Sequence, residues 1–209
     1  MSYKLGGKKI IGITGGVGCG KSSVMELMRD RFGFAIIYAD AVGHELMAPG
    51  GANYGAIVSA FGGDILSGDG RIDNGRLASI VFSDPERLSL LNSITHPNIK
   101  AEIKKRLLAL ESDPDAAGIC LEAALLIEAG YDDLLDELWY VYAKEEARIK
   151  RLMSSRGYSE EKCRSMLKNQ LSEEEYISHC DRVIDNSGSL EETEKNISEI
   201  LTLKRSQNE

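Results

Sequence analysis

The sequence predicts a three-layer α/β fold around a central parallel sheet of five strands. Three observations carry that prediction. Short apolar segments alternate with helical ones along the chain. The apolar segments are near-continuous rather than alternating, as in ICLEAALLI, which suits strands covered on both faces. The first of them runs straight into a glycine-rich turn and an amphipathic helix, the opening of a βαβ unit.

Taken in order, residues 9–14 (KIIGIT) form the first strand, and Val24, Leu27, Met28 and Phe32 then recur at helical spacing. Gly33 sits where a C-terminal cap belongs, and residues 34–39 make the second strand. From 41 to 115 the pattern is helical with no convincing strand. There Asp84-Pro85 reads as an N-cap followed by proline at the first helical position. His96-Pro97 reads as a break between two helices, the second carrying Ile99, Ile103, Leu107 and Leu110 on one stripe. Strands resume at 118–127 and 137–142, and 143–176 is again helical, with starts at Ser159 and at the capping box Ser172-x-x-Glu175. A fifth strand covers 182–184. The last helix begins at Ser189, with Glu192 completing another capping box, and the final KRSQNE is expected to fray.

Composition limits what such a fold can do. A chain of 209 residues that is 43% hydrophobic has room for one substantial core and an inserted subdomain. It lacks any run of about 18 apolar residues, and MSYKLGGKK lacks the apolar centre of a signal peptide, so a cytoplasmic protein without a membrane span is expected. The four cysteines, Cys19, Cys120, Cys163 and Cys180, form no C-x-x-C pair, which argues against zinc and against a disulfide framework. A net charge of −8 disfavours nucleic acid or an anionic membrane as partner. Between Lys144 and Lys168, however, eight basic residues face four acidic ones, a local excess of +4 that leaves −12 for the remainder. Such a stretch is either a solvated helix face or an anion clamp.

Gly15-Gly16-Val17-Gly18-Cys19-Gly20-Lys21-Ser22 matches G-x-x-x-x-G-K-[ST], with the strand before it and the helix after it that this pattern requires. Glycines there let the backbone wrap so that successive N–H groups face phosphate oxygens, helped by the positive end of the helix dipole. Lys21 neutralises the β- and γ-phosphates, the Ser22 hydroxyl completes the coordination of Mg²⁺, and Ser23 follows in the same first turn. The expected fold is therefore of the P-loop NTPase type.

The second strand ends in Ala39-Asp40, and the carboxyl ends of parallel strands form the rim where ligands bind. Asp40 is thus expected at the same crevice as Lys21. It has two readings: a general base that takes the proton of an attacking hydroxyl, or a cap for a helix starting at Ala41.

The chain resembles the dephospho-CoA kinase family. The likeness rests on TGGVGCGKSS, YADAVGHELMAPG, GDGRIDNGRLASIVFSDP, LNSITHPNI, LLIEAG and VIDNSGSLEE, in that order and spacing, and covers nearly the whole chain. It implies transfer of the ATP γ-phosphate to the ribose 3′-hydroxyl of dephospho-CoA, with Mg²⁺ required and ATP and dephospho-CoA as the partners of an expected monomer. It also implies three parts: a P-loop core from 1–40, 116–143 and 177–209, a helical acceptor-binding insertion at 41–115, and a helical lid at 144–176. The basic stretch falls on that lid, which favours the anion clamp, with Arg148 and Arg151 closing onto phosphates or adenine.

Carried over position by position, the resemblance makes Asp40 the catalytic base. His44, Arg76, His96 and Glu128 become acceptor-side residues, although His96 also reads as a hydrogen-bonded spacer, Arg76 as a surface residue and Glu128 as a helix-start carboxylate. The amide of Asn186 would read the adenine edge, with a turn residue as the alternative. Four positions depart from the family pattern: Tyr38 replaces the first aspartate of Asp-x-Asp, Glu122 stands for an aspartate, Ala124 for a proline, and Ser155 for a lid arginine that Arg156 adjoins. From the loop alone, a kinase of nucleoside monophosphates or other small metabolites stays open, as does a nucleotide-dependent switch that binds a protein partner.

Overall fold

The computed structural model describes residues 7–123, 126 and 131–203. The expected fraying of KRSQNE lies outside these residues. The described chain forms two compact units, one built from residues up to Ile37 together with those from Leu110 on, the other from Tyr38–Ala109.

The first unit holds the sheet. Its strands are β1 (Ile10–Thr14), β2 (Phe34–Tyr38), β3 (Gly118–Glu122), β4 (Glu137–Tyr142) and β5 (Arg182–Asp185), in the order β2-β3-β1-β4-β5. Pairing is parallel, with Ile13 of β1 opposite Glu122 on one side and Trp139 on the other. All five β1 residues are buried, as expected for an apolar strand at the centre of a parallel sheet. Helix α1 (Lys21–Asp30) turns Val24, Met25 and Met28 onto this sheet, where they meet Ile11, Ile13, Phe34, Trp139 and Val141. Gly33, at φ 70°, ends that connection, and its N–H reaches back to the Arg29 carbonyl. The third strand ends at Glu122, short of the expected 127; the positions from there to 127 lie partly outside the described residues.

Helices of the second unit are α2 (Ala39–Met47), α3 (Tyr54–Phe61) and α4 (Asn74–Phe82), and α5 (Pro85–Glu111) runs out of it. Ile57, Ile65, Leu77 and Val81 form its core, with Leu91 and Ile94 of α5 packed against them. Asp84 caps α5 through the N–H groups of Glu86 and Arg87, as the sequence predicts. The expected break at His96-Pro97 is absent: α5 continues through Pro97. Proline forfeits one backbone hydrogen bond, to the Ser93 carbonyl. Side-chain hydrogen bonds flank that position. Thr95, itself buried, donates to the Leu91 carbonyl, and the Asn98 amide donates 2.6 Å to Asn53 Oδ1.

The basic stretch folds as α6 (Glu145–Arg156) and α7 (Glu160–Lys168), and α8 (Glu173–His179) follows it. Ser159 caps α7 and Ser172 with Glu175 forms the predicted capping box of α8. Ser189 and Glu192 make the reciprocal pair ahead of α9 (Leu190–Leu203).

Candidate active site

The glycine-rich loop joins the end of β1 to the first turn of α1. Gly20 occupies the N-cap at φ 89° and ψ 34°, a left-handed conformation open to glycine at no steric cost. A Cβ there would also stand 2.2 Å from Asn186 Nδ2. At Gly16 the constraint is space: a Cβ would lie 2.3 Å from Arg148 Nη2. Glycine is thus required by the left-handed backbone at Gly20, while side-chain ends from neighbouring elements crowd Gly16.

Lys21 Nζ bonds the Gly15 carbonyl at 2.7 Å. Ser22 is exposed, and its hydroxyl has no partner among the described residues; Ser23 beside it is half-buried. Cys19 is buried. Burial pushes its thiol above the ordinary value, against the opposing pull of Lys21, Arg148 and Arg151, so three cations converge on the loop while the thiol stays neutral.

Two arginines of α6 reach the loop. Arg148 Nε donates to the Val17 carbonyl at 2.9 Å, and its Nη2 donates to Gln170 Oε1 at 2.6 Å. Gln170 Oε1 also accepts the Val17 N–H at 3.0 Å. Arg151 Nη1 donates to the Cys19 carbonyl at 3.1 Å and Nη2 to the Asn186 carbonyl at 2.7 Å. The loop, Lys21, Ser22, Arg148, Arg151 and Asn186 are thus brought together in one unit.

The side chain of Asn186 is buried and points into the loop: Nδ2 donates to the Cys19 carbonyl at 2.7 Å and to the Gly20 carbonyl at 3.4 Å, while Oδ1 accepts from Thr193 at 2.8 Å. Its amide thus anchors the loop from a buried position.

Asp40, His44, Arg76 and His96, of the acceptor-side candidates, lie in the second unit. Asp40 sits in the first turn of α2, which starts at Ala39, so it is not the N-cap; Tyr38 is. Its carboxylate is exposed and unpaired among the described residues. His44, one turn on, has Nδ1 at 2.8 Å from the Asp40 carbonyl, which can only accept, so Nδ1 carries the proton. Arg76 is committed locally: Nη1 donates to the carbonyls of Asp64 and Leu66. It ties the segment before α4. His96 is exposed on α5. Glu128 and Ala124 lie outside the described residues. Glu122 closes β3 beside Ile13, next to the start of the loop. Ser155 turns its hydroxyl onto the Arg151 carbonyl within α6, and Arg156 is exposed in the last turn. No sequence pattern singled out Gln170, which stands between α7 and α8 and meets the loop only through the fold.

As for metal, the described residues contain no group of three or more His, Cys, Asp or Glu side chains suited to hold an ion. A lone unpartnered hydroxyl fits Mg²⁺, which keeps several waters and binds substrate phosphates rather than a protein cage. No described helix is long and apolar enough to cross a membrane.

A glycine loop at the carboxyl end of the central strand, closed by a lysine and overlain by basic helices, defines a P-loop phosphotransferase of the small-molecule kinase type. Comparison narrows this. The profile of the dephospho-CoA kinase family matches residues 9–192. A dephospho-CoA kinase of Carboxydothermus hydrogenoformans is 43% identical over 192 residues, 92% of either chain. Among solved structures, TT1252 from Thermus thermophilus matches with a TM-score of 0.79 at 34% identity, covering 94% of this chain and 97% of that one. The dephospho-CoA kinase from Campylobacter jejuni follows at 0.69 and 27%, covering 96% and 98%. The chain belongs to the dephospho-CoA kinase family, as the sequence resemblance implied, and is an ATP-dependent kinase.

Proposed function

We propose that the chain transfers the γ-phosphate of ATP to the ribose 3′-hydroxyl of dephospho-CoA, yielding CoA and ADP, as a cytoplasmic monomer. The observation that carries this reading is the loop with Lys21 at its mouth, within a chain matched by the family over residues 9–192. The neutral thiol of Cys19 and the cations of Lys21, Arg148 and Arg151 suit a polyanionic ligand. Loop N–H groups and Lys21 bind and orient the β- and γ-phosphates, and Arg148 and Arg151 add charge from the lid, 144–176. Ser22 would hold Mg²⁺ together with the phosphates, and the ion would supply charge neutralisation there. Asp40 holds the proton of the attacking hydroxyl, and the insertion at 41–115, with His44 and His96, receives the acceptor.

The test is ADP release with ATP, with and without Mg²⁺, across dephospho-CoA, AMP, CMP, UMP and shikimate, with products identified by mass. A phosphate gained by dephospho-CoA alone, and lost on chelation of the metal, is expected. Phosphorylation of another acceptor with dephospho-CoA untouched overturns the acceptor assignment.

A further inference from the structure

Gln170 and Arg148 form a closed ring with one loop residue. Val17 gives its N–H to Gln170 and takes a hydrogen bond from Arg148 on its carbonyl, while Arg148 donates to Gln170 as well. The Val17 side chain packs on Ile149, Leu152 and Cys163, the apolar centre of α6 and α7. Among the described residues, the oxygens that hold the Arg148 guanidinium are neutral, one a backbone carbonyl and one an amide. Arg164, in the same helical segment, is treated differently: it is paired with the carboxylates of Glu145 and Glu160. An arginine held by carboxylates has its charge cancelled locally, whereas one held by amide oxygens is fixed in place with its charge intact.

We infer that Gln170 is a positioning residue that sets Arg148 against the phosphate-binding loop while leaving its positive charge unneutralised. The inference rests on the ATP reading of the loop. Glutamine is the side chain for this task because it reaches as far as glutamate and accepts equally well, but adds no negative charge beside a phosphate site. Gly16 belongs to the same device, since a Cβ there would fall 2.6 Å from Gln170 Oε1.

Substituting Gln170→Glu keeps the shape and changes the charge. Calorimetric titration of wild type, Gln170→Glu and Gln170→Met with ATP, ADP and AMP reads the effect. In Gln170→Glu, ATP binding weakens about ten- to hundredfold, ADP less and AMP least, because repulsion grows with ligand charge. Gln170→Met removes the acceptor without adding charge and weakens ATP about three- to tenfold. The KM for dephospho-CoA stays at the wild-type value in both. Wild-type ATP affinity in Gln170→Glu, or an equal loss for all three nucleotides, overturns the inference. If Gln170→Glu does not fold, Gln170→Met decides, and undiminished ATP binding there overturns it too. A wild-type protein that binds no ATP would defeat the nucleotide reading itself, whereas a working wild type with an unaffected Gln170→Glu defeats this inference alone.

Discussion

Lys21 Nζ donates a 2.7 Å hydrogen bond to the carbonyl of Gly15, the first residue of the loop that Lys21 closes. A neutral carbonyl holds the ammonium at the mouth of the loop without cancelling its charge. Lys21→Ala removes both anchor and charge. A charge-assisted hydrogen bond contributes about 1.5–3 kcal/mol, so nucleotide affinity should fall about 10- to 150-fold, and turnover should fall further as transition-state charge goes unmet. Calorimetry and single-turnover kinetics check this; a variant equal to wild type in both removes the loop from phosphate binding.

Asp40 carries a carboxylate that is unpaired among the described residues, in the first turn of α2. Asp40→Asn keeps its size and abolishes its capacity to take a proton. Turnover should drop by about two to four powers of ten, with ATP binding little changed. Near-normal turnover would assign the base elsewhere.

Arg151 bridges the carbonyls of Cys19 and Asn186. Arg151→Ala loosens this contact between α6 and the loop. The expected result is a higher ratio of ATP hydrolysis to phosphoryl transfer, since incomplete closure admits water. An unaltered ratio counts against the clamp.

Asn186 holds two loop carbonyls and Thr193 from a buried position. Asn186→Ala leaves those partners unsatisfied at a cost of about 1–3 kcal/mol. For a chain of this size the melting temperature should fall by about 2–4 °C per kcal/mol, and the KM for ATP should rise as the loop loses its anchor. An unchanged melting temperature would show that the loop does not depend on this amide.

Burial raises the thiols of Cys19 and Cys120 above their ordinary value of 9.0. In the unfolded chain these thiols ionise near that value, while in the folded chain they stay protonated to higher pH. The unfolded state therefore binds fewer protons once the pH exceeds 9.0. Stability, full below that point, should decline by about 1.4 kcal/mol per pH unit for each thiol as pH rises toward the folded values. Denaturant titrations at pH 8, 9 and 10 measure the slope, and Cys120→Ala should reduce it by one thiol's share. A flat profile would contradict the burial of both groups.

Local chemistry was legible in the sequence because it acts over a few residues. A run of apolar side chains specifies a buried strand, G-x-x-x-x-G-K-S specifies the glycine loop between β1 and α1, and Asp84, Ser159, Ser172 and Ser189 each bond a backbone N–H within three residues. The family resemblance came from the order of such pieces. Tertiary structure decided what happens when distant groups compete for the same partner. Pro97 signals a break, yet α5 continues through it. Asn186 has the right chemistry for a base edge, yet carbonyls far back in the chain take its donors. Gln170 shows no local pattern at all, and it meets Val17 across 153 positions. Hydrogen-bonding capacity is written residue by residue, but which donor reaches which acceptor depends on the packing of whole elements, and that appears only when the chain is folded.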